Sequence, residues 1–160
     1  MKKSIFIADA EPRCYWQLRK RLVANNCDVF HATSIGDAVE HFDIRTANLL
    51  LVDLDVPGER LRQDISRLTQ LNPSVRIIGV TERSEGSEIA VREHLDGVAE
   101  KPFALGNLIT FIHEVLRNPS AWREFRYLAP TMPGLRMIAP NRPHRVLDYP
   151  AAYSGWGINE

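Results

Sequence analysis

The sequence has 160 residues, of which 44% are hydrophobic and 25% are charged, and its formal net charge is zero. This length favours one domain with room for an appendage. The net charge of zero gives no reason to expect binding to nucleic acid or to a membrane surface, because both attract basic proteins or basic patches. No apolar run approaches the roughly 20 residues that span a bilayer, and the apolar stretch after Lys3 is too short for a signal peptide. We therefore expect a cytoplasmic protein, with Cys14 and Cys27 as reduced structural thiols.

Apolar, strand-like runs alternate with helical patterns along the first 116 residues. The predicted strands are Ser4–Ala8, Asp28–Ala32, Asn48–Leu54, Val75–Thr81 and Gly97–Lys101. The spacing of apolar residues predicts helices over 13–24, 61–71, 87–95 and 105–116, and another that Ser34 caps with Asp37 three residues on. Strands that alternate with helices predict right-handed crossovers and a parallel sheet covered on both faces. The expected fold is a flavodoxin-like, doubly wound (βα)5 domain with five strands.

Chemistry-bearing residues follow four of these strands. They are Asp9, Asp53, Thr81 and Lys101, and the carboxyl ends of parallel strands form the edge where ligands bind. An aspartate can carry an acyl phosphate, and a lysine and a hydroxyl can bind phosphoryl oxygens. Each residue also has a purely structural interpretation: an acid at a helix N-terminus, a strand end, or a surface lysine. Asp55 is interpreted as a turn residue before Pro57.

Four segments together resemble the receiver domain of two-component response regulators. They are "IFIADAEP", "LLLVDLDVPG", "IIGVT" and "EKPF", and the resemblance covers residues 1–118. It implies that Asp53, four residues before Pro57, is phosphorylated. It also implies that Thr81 is the switch hydroxyl and that Lys101 pairs with the phosphate. Pro102 is expected to follow a strained peptide bond, for which cis geometry is one alternative.

The same resemblance implies a magnesium site. Magnesium needs only one or two carboxylates and keeps several waters. The implied ligands are the Asp53 carboxylate and the backbone carbonyl of Asp55, with Asp9 acting through water. The side chain of Asp55, or Glu11, could compensate for an acid that is missing at position 10.

Three residues depart from the receiver pattern. Ala10 stands where the family usually has a second acid, which weakens the expected metal site. Glu82 replaces a small residue, and a carboxylate there would repel an anionic phosphodonor. Val98 replaces an aromatic residue that moves with the threonine, so the usual coupling between site and surface is in question.

The composition changes after residue 118. The 42 residues 119–160 contain six prolines, five arginines and three acids. They also contain six aromatic residues: Trp122, Phe125, Tyr127, Tyr149, Tyr153 and Trp156. A short helix over 121–128 is predicted, and the prolines exclude a long helix beyond it. We therefore predict an irregular extension with no recognisable output domain. It could fold back over the receiver, bind a partner, or remain a loose tail.

The leading hypothesis is an atypical, stand-alone receiver without enzymatic output. A histidine kinase or phosphotransfer protein would phosphorylate Asp53, and a protein partner would read the fourth and fifth helix face or the tail. A homodimer through that face is a further alternative. Ala10, Glu82 and Val98 motivate a different hypothesis, a phosphorylation-independent pseudo-receiver that binds partners constitutively. A third hypothesis is an accessory subunit of a nucleic-acid assembly docked through its tail. Arg142 and Arg145 alone give it little support.

Overall fold

The structure is a computed structural model that describes residues 2–11, 15–117 and 132–138. Its centre is a sheet in the order β2-β1-β3-β4-β5-β6. The strands are β1 (Lys3–Ala8), β2 (Cys27–Ala32), β3 (Leu49–Asp53), β4 (Arg76–Thr81), β5 (Gly97–Glu100) and β6 (Leu135–Met137). The α-helices are α1 (Trp16–Ala24), α2 (Ile35–His41), α3 (Gly58–Leu71), α4 (Gly86–Arg92) and α5 (Leu105–Leu116).

The five strands β1 to β5 pair in parallel. Their side chains alternate between two apolar layers, because successive residues of a strand point to opposite faces. Leu49 and Leu51 of β3 lie in the layer covered by α1 and α5. Leu50 and Val52 lie in the layer covered by α2, α3 and α4. The predicted doubly wound α/β fold is therefore confirmed, and its buried strands have the near-continuous apolar sequences expected of a parallel sheet.

The predicted elements agree with the structure except near their ends. Ser34 caps α2 as expected, since its hydroxyl accepts the backbone N–H of Asp37 at 3.0 Å. The helix predicted over 87–95 ends at Arg92, and residue 94 has a positive φ of 57° that is incompatible with continuing the helix.

A sixth strand was not predicted. β6 comes from the segment after residue 118 and pairs antiparallel with β5. The N–H of Glu100 donates to the carbonyl of Gly134 at 2.7 Å, and Leu135 is buried in the layer formed by α1 and α5. Part of the extension therefore folds back onto the domain. The aromatic residues of the extension, the predicted helix 121–128 and the boundary at residue 118 lie outside the described residues.

Gly79 allows β4 to pack closely against the turn after β3. A Cβ at this position would overlap the side chain of Leu54, which is fully buried. The N–H of Leu54 also donates to the carbonyl of Val80 at 2.9 Å. This contact fixes the chain between Asp53 and Asp55, on which the candidate site depends.

In the part of the chain that the structure describes, no helix is long and apolar enough to cross a membrane.

Candidate phosphorylation site

Sheet topology brings the two predicted acids to one place. β1 pairs with β2 on one side and with β3 on the other, so the chain reverses its winding direction between β1 and β3. In open parallel sheets, ligands bind outside the carboxyl ends of the strands at such a reversal point. Asp9 directly follows β1, and Asp53 ends β3.

Asp53 is half-buried and sits among charges. Burial raises the pKa of its carboxyl above the ordinary value, and the neighbouring carboxylates of Asp9 and Asp55 raise it further. The N–H of Asp55 donates to Asp53 Oδ1 at 2.8 Å, and this hydrogen bond and the charge of Lys101 lower the pKa in part. The net shift is upward, because an ionised carboxylate is poorly solvated here and faces two others. Burial is therefore the main cause of the raised pKa, and the charges of Asp9 and Asp55 are smaller causes.

Asp9 is buried, and both of its carboxylate oxygens accept hydrogen bonds from the protein. Oδ1 accepts the N–H of Glu11 at 2.8 Å, and Oδ2 accepts the hydroxyl of Tyr15 at 2.7 Å. Tyr15 is itself buried just before α1. Asp9 is thus held rigidly at the end of β1, close enough to Asp53 to raise its pKa.

Thr81 contacts the second acid after β3 rather than the first. Its hydroxyl donates to Asp55 Oδ1 at 2.6 Å. The N–H of Glu82 donates to Asp55 Oδ2 at 3.0 Å, and the guanidinium of Arg83 lies 3.5 Å from Oδ1. The structural interpretation of Asp55 as a turn residue therefore missed a side chain that joins the ends of β3 and β4.

Lys101 lies at the same edge, but its amine faces a carboxylate other than Asp53. Nζ is 3.8 Å from Glu82 Oε1, and both side chains are substantially exposed. The peptide bond between Lys101 and Pro102 is cis, which was one of the expected alternatives. Val98, the third departure from the receiver pattern, is fully buried in the layer beneath α4.

A small cavity of about 130 Å³ opens beside Asp53 where a second acid is absent. Ala10 and Asp53 both line it, together with Thr33, Arg60 and Asp64. Arg60 makes a long ion pair with Asp64 at 3.9 Å. Position 10 therefore borders the candidate site directly, and the departure at Ala10 changes the surroundings of Asp53.

A minimal magnesium site fits these residues. The described residues contain no group of three or more His, Cys, Asp or Glu side chains that could hold a metal ion. Magnesium, however, is often bound by one or two carboxylates and completed by water. A cation there would also offset the charges of Asp9 and Asp55, which raise the pKa of Asp53 less than burial does. Asp53 and the carbonyl of Asp55 are the residues that could hold it, with Asp9 acting through water.

Two side chains of the candidate site were not predicted from the sequence. Arg83 pairs with Asp55, and Tyr15 donates to Asp9. A tyrosine six residues after an acid and an arginine two residues after a threonine have no distinctive spacing. Only the folded chain brings these pairs together.

Solved structures share this fold at low sequence identity. A CheY-like receiver domain protein from Methanospirillum hungatei superposes with a TM-score of 0.62 and 23% identity, over 78% of this chain and 99% of its own. An orphan response regulator of H. pylori gives 0.62 and 19%, over 72% and 97%. The isolated receiver domain of RcsB from Salmonella enterica serovar Typhimurium, in the presence of the phosphomimetic BeF3−, gives 0.60 and 20%, over 72% and 88%.

No protein-family model and no curated protein matches the sequence. The structural likeness establishes that the chain has the fold of response regulator receiver domains, as the sequence resemblance implied. At these identities it shows the fold alone. The function therefore has to be argued from the residues of the site.

Proposed function

We propose that this chain is a cytoplasmic signalling receiver that accepts a phosphoryl group on Asp53 and has no enzymatic output. The observation that carries the proposal is the position of Asp53 at the winding reversal of the sheet, beside Asp9 and within the electrostatic influence of Lys101. The phosphodonor would be a histidine kinase or a phosphotransfer protein. A structural neighbour, the receiver domain of RcsB, was solved in the presence of the phosphomimetic BeF3−, which supports the proposal.

The transfer uses the Asp53 carboxylate as nucleophile. An oxygen of the carboxylate forms a bond to phosphorus while the bond between phosphorus and the donor atom breaks. The donor, an imidazole nitrogen of phosphohistidine, leaves with that electron pair. Hydrolysis removes the phosphoryl group from Asp53. Water attacks phosphorus, inorganic phosphate leaves, and the carboxylate of Asp53 is restored. Magnesium, when bound by Asp53 and the Asp55 carbonyl, would neutralise charge on the transferring group.

Two groups of this chain act on the phosphorylated state. Lys101 supplies a cation for a phosphoryl oxygen once its ion pair with Glu82 opens. Thr81 supplies a hydroxyl donor, provided that it leaves Asp55. Phosphorylation thereby rearranges the ends of β4 and β5, which is the event that a partner would read.

The proposed partner surface includes a part of the extension. Arg136 of β6 donates to the hydroxyl of Ser87 on α4 at 3.1 Å. Leu135 packs in the same apolar layer as Phe111 of α5. β6 thus contacts both of the helices that the receiver resemblance assigns to partner binding. We propose that a protein partner contacts this composite face of α4, β6 and α5.

Intact mass spectrometry tests the proposal. The full chain is incubated with magnesium and acetyl phosphate, alongside Asp53→Asn and the control Asp28→Asn, which removes an exposed acid paired with Lys2. We expect a gain of one phosphoryl mass in the wild type and in the control, and none in Asp53→Asn. No gain from acetyl phosphate or from a panel of phosphorylated histidine phosphotransfer proteins, in a folded sample, would contradict it.

A second candidate function is a pseudo-receiver that binds partners without phosphorylation. The ion pair between Lys101 and Glu82 and the hydrogen bond between Thr81 and Asp55 favour it, because both groups that would bind phosphate already have carboxylate partners. One structural neighbour is described as an orphan response regulator. The measurement that separates the two functions is how much partner protein binds to Asp53→Asn and to Lys101→Ala, compared with the wild type. Unchanged capture by both variants would favour the pseudo-receiver over phosphorylation-dependent signalling.

A further inference from the structure

The carboxylate of Asp55 accepts hydrogen bonds from one short segment, which comprises the end of β4 and the residues after it. Oδ1 accepts the hydroxyl of Thr81 at 2.6 Å and Oδ2 accepts the N–H of Glu82 at 3.0 Å. Arg83 reinforces the arrangement, because its Nε lies 3.5 Å from Oδ1 and its N–H donates to the hydroxyl oxygen of Thr81 at 3.0 Å. The two carboxylate oxygens therefore both bind this segment.

One of these donors, the Thr81 hydroxyl, is the group that the proposed function assigns to a phosphoryl oxygen on Asp53. Asp53 and Asp55 are joined by a turn in which the N–H of Asp55 donates to Asp53 at 2.8 Å. The turn places the Asp55 carboxylate beside the group to be phosphorylated. A threonine hydroxyl has one proton and donates to one acceptor at a time. Thr81 can therefore donate its hydroxyl proton to Asp55 or to a phosphoryl oxygen, but not to both at once.

We propose that Asp55 is an internal anion that competes with the phosphoryl group for Thr81 and holds the segment 81–83 in the unphosphorylated arrangement. This inference rests on the proposed phosphorylation of Asp53 and adds its regulation. Asp55 is a positioning residue, because it acts through Thr81. Transfer to Asp53 must release Thr81 from Asp55, and the chain consequently takes up phosphate more slowly than the same site would without this carboxylate.

The test compares initial rates of phosphate uptake from acetyl phosphate at saturating magnesium, measured by intact mass. Asp55→Asn keeps the shape of the side chain and removes its charge. We expect its uptake to be about tenfold faster, because the neutral amide oxygen of asparagine accepts the Thr81 hydroxyl more weakly than a carboxylate oxygen does. In the Thr81→Val background the same substitution should change the rate by less than about twofold, because the competing donor is gone. Far-ultraviolet circular dichroism and thermal unfolding verify that each variant is folded.

A matched charge control separates competition from simple repulsion of the anionic donor. Asp64→Asn removes a carboxylate that lines the cavity beside Asp53 and whose ion pair is with Arg60 rather than with Thr81 or Lys101. If Asp64→Asn accelerates uptake as much as Asp55→Asn, or if the faster uptake of Asp55→Asn persists in the Thr81→Val background, the effect is electrostatic and the inference is overturned. An unchanged rate for Asp55→Asn also overturns it.

A second readout does not involve phosphate. The methyl group of Thr81 in the wild type should report a single side-chain rotamer by three-bond couplings in nuclear magnetic resonance, and rotamer averaging should appear in Asp55→Ala, whose side chain has no acceptor. Averaging already present in the wild type would overturn the inference, even if uptake is fast. Absence of uptake in every variant would instead contradict the phosphorylation of Asp53 itself, and the competition would fall with it.

Discussion

The buried hydroxyl of Tyr15 donates to the carboxylate of Asp9 at 2.7 Å. This relationship holds the acid that follows β1 in place, because the other oxygen of Asp9 is bound by the N–H of Glu11. The sequence pattern identified Asp9, whereas the residue that orients it lies just before α1.

Tyr15→Phe should destabilise the domain by about 1–3 kcal/mol, because it leaves a buried carboxylate oxygen without this donor. Urea unfolding followed by circular dichroism measures the loss. The control is the double variant with Asp9→Asn. If the two residues interact as the structure shows, the effects of the single substitutions will not add. Additive effects would mean that the hydrogen bond contributes nothing.

Asp53→Asn should stabilise the fold at neutral pH. The pKa of Asp53 is raised in the folded state, so protonated Asp53 is favoured by folding and ionised Asp53 is not. The stabilising contribution of the protonated group is fully present below the unfolded-state pKa and is lost as pH rises through the raised folded-state pKa. The urea midpoint of Asp53→Asn should therefore exceed that of the wild type at pH 7.5, with a difference that shrinks as pH is lowered. A lower midpoint at pH 7.5 would contradict the upward shift.

Ala10→Asp should strengthen magnesium binding to the unphosphorylated protein. Position 10 lines the same cavity as Asp53, so a carboxylate there adds charge beside the proposed ligands. An added charge at about 4 Å contributes roughly 1 kcal/mol in water, which predicts at least about fivefold tighter binding. Isothermal titration calorimetry measures it, with Ala24→Asp at the end of α1 as a remote control. Equal gains in both variants would show a general charge effect.

Gly79→Ala and Gly36→Ala should have opposite effects on stability. A Cβ at position 79 would overlap Leu54, and overpacking typically costs about 1–3 kcal/mol. A Cβ at position 36 meets nothing closer than 3.6 Å, and alanine in the helix α2 should add about 0.4–1 kcal/mol. Thermal unfolding of both variants checks the pair. Tolerance of alanine at position 79 would show that the turn after β3 does not depend on this close approach.

Gly134→Ala should weaken the pairing of β6 with β5. Gly134 has φ of 83°, and a Cβ there would overlap the carbonyl oxygen of Glu100. We expect faster hydrogen exchange at the N–H of Glu100, which donates to Gly134. Gly58→Ala is the control, because a Cβ at position 58 has no neighbour within 4 Å. Unchanged exchange at Glu100 in Gly134→Ala would argue against the sixth strand.

Sequence by itself determined the alternation of strands and helices and the edge at which Asp9, Asp53, Thr81 and Lys101 lie. Those features follow from the spacing of apolar residues and from the geometry of parallel crossovers, and both are local or nearly so. The tertiary structure alone decided which side chains bind one another. The pairing of Thr81 with Asp55, of Lys101 with Glu82 and of β6 with β5 depends on contacts between distant segments. Such contacts leave no periodic signal in the chain, because they arise from the orientation of single side chains and from one short strand reaching a free edge.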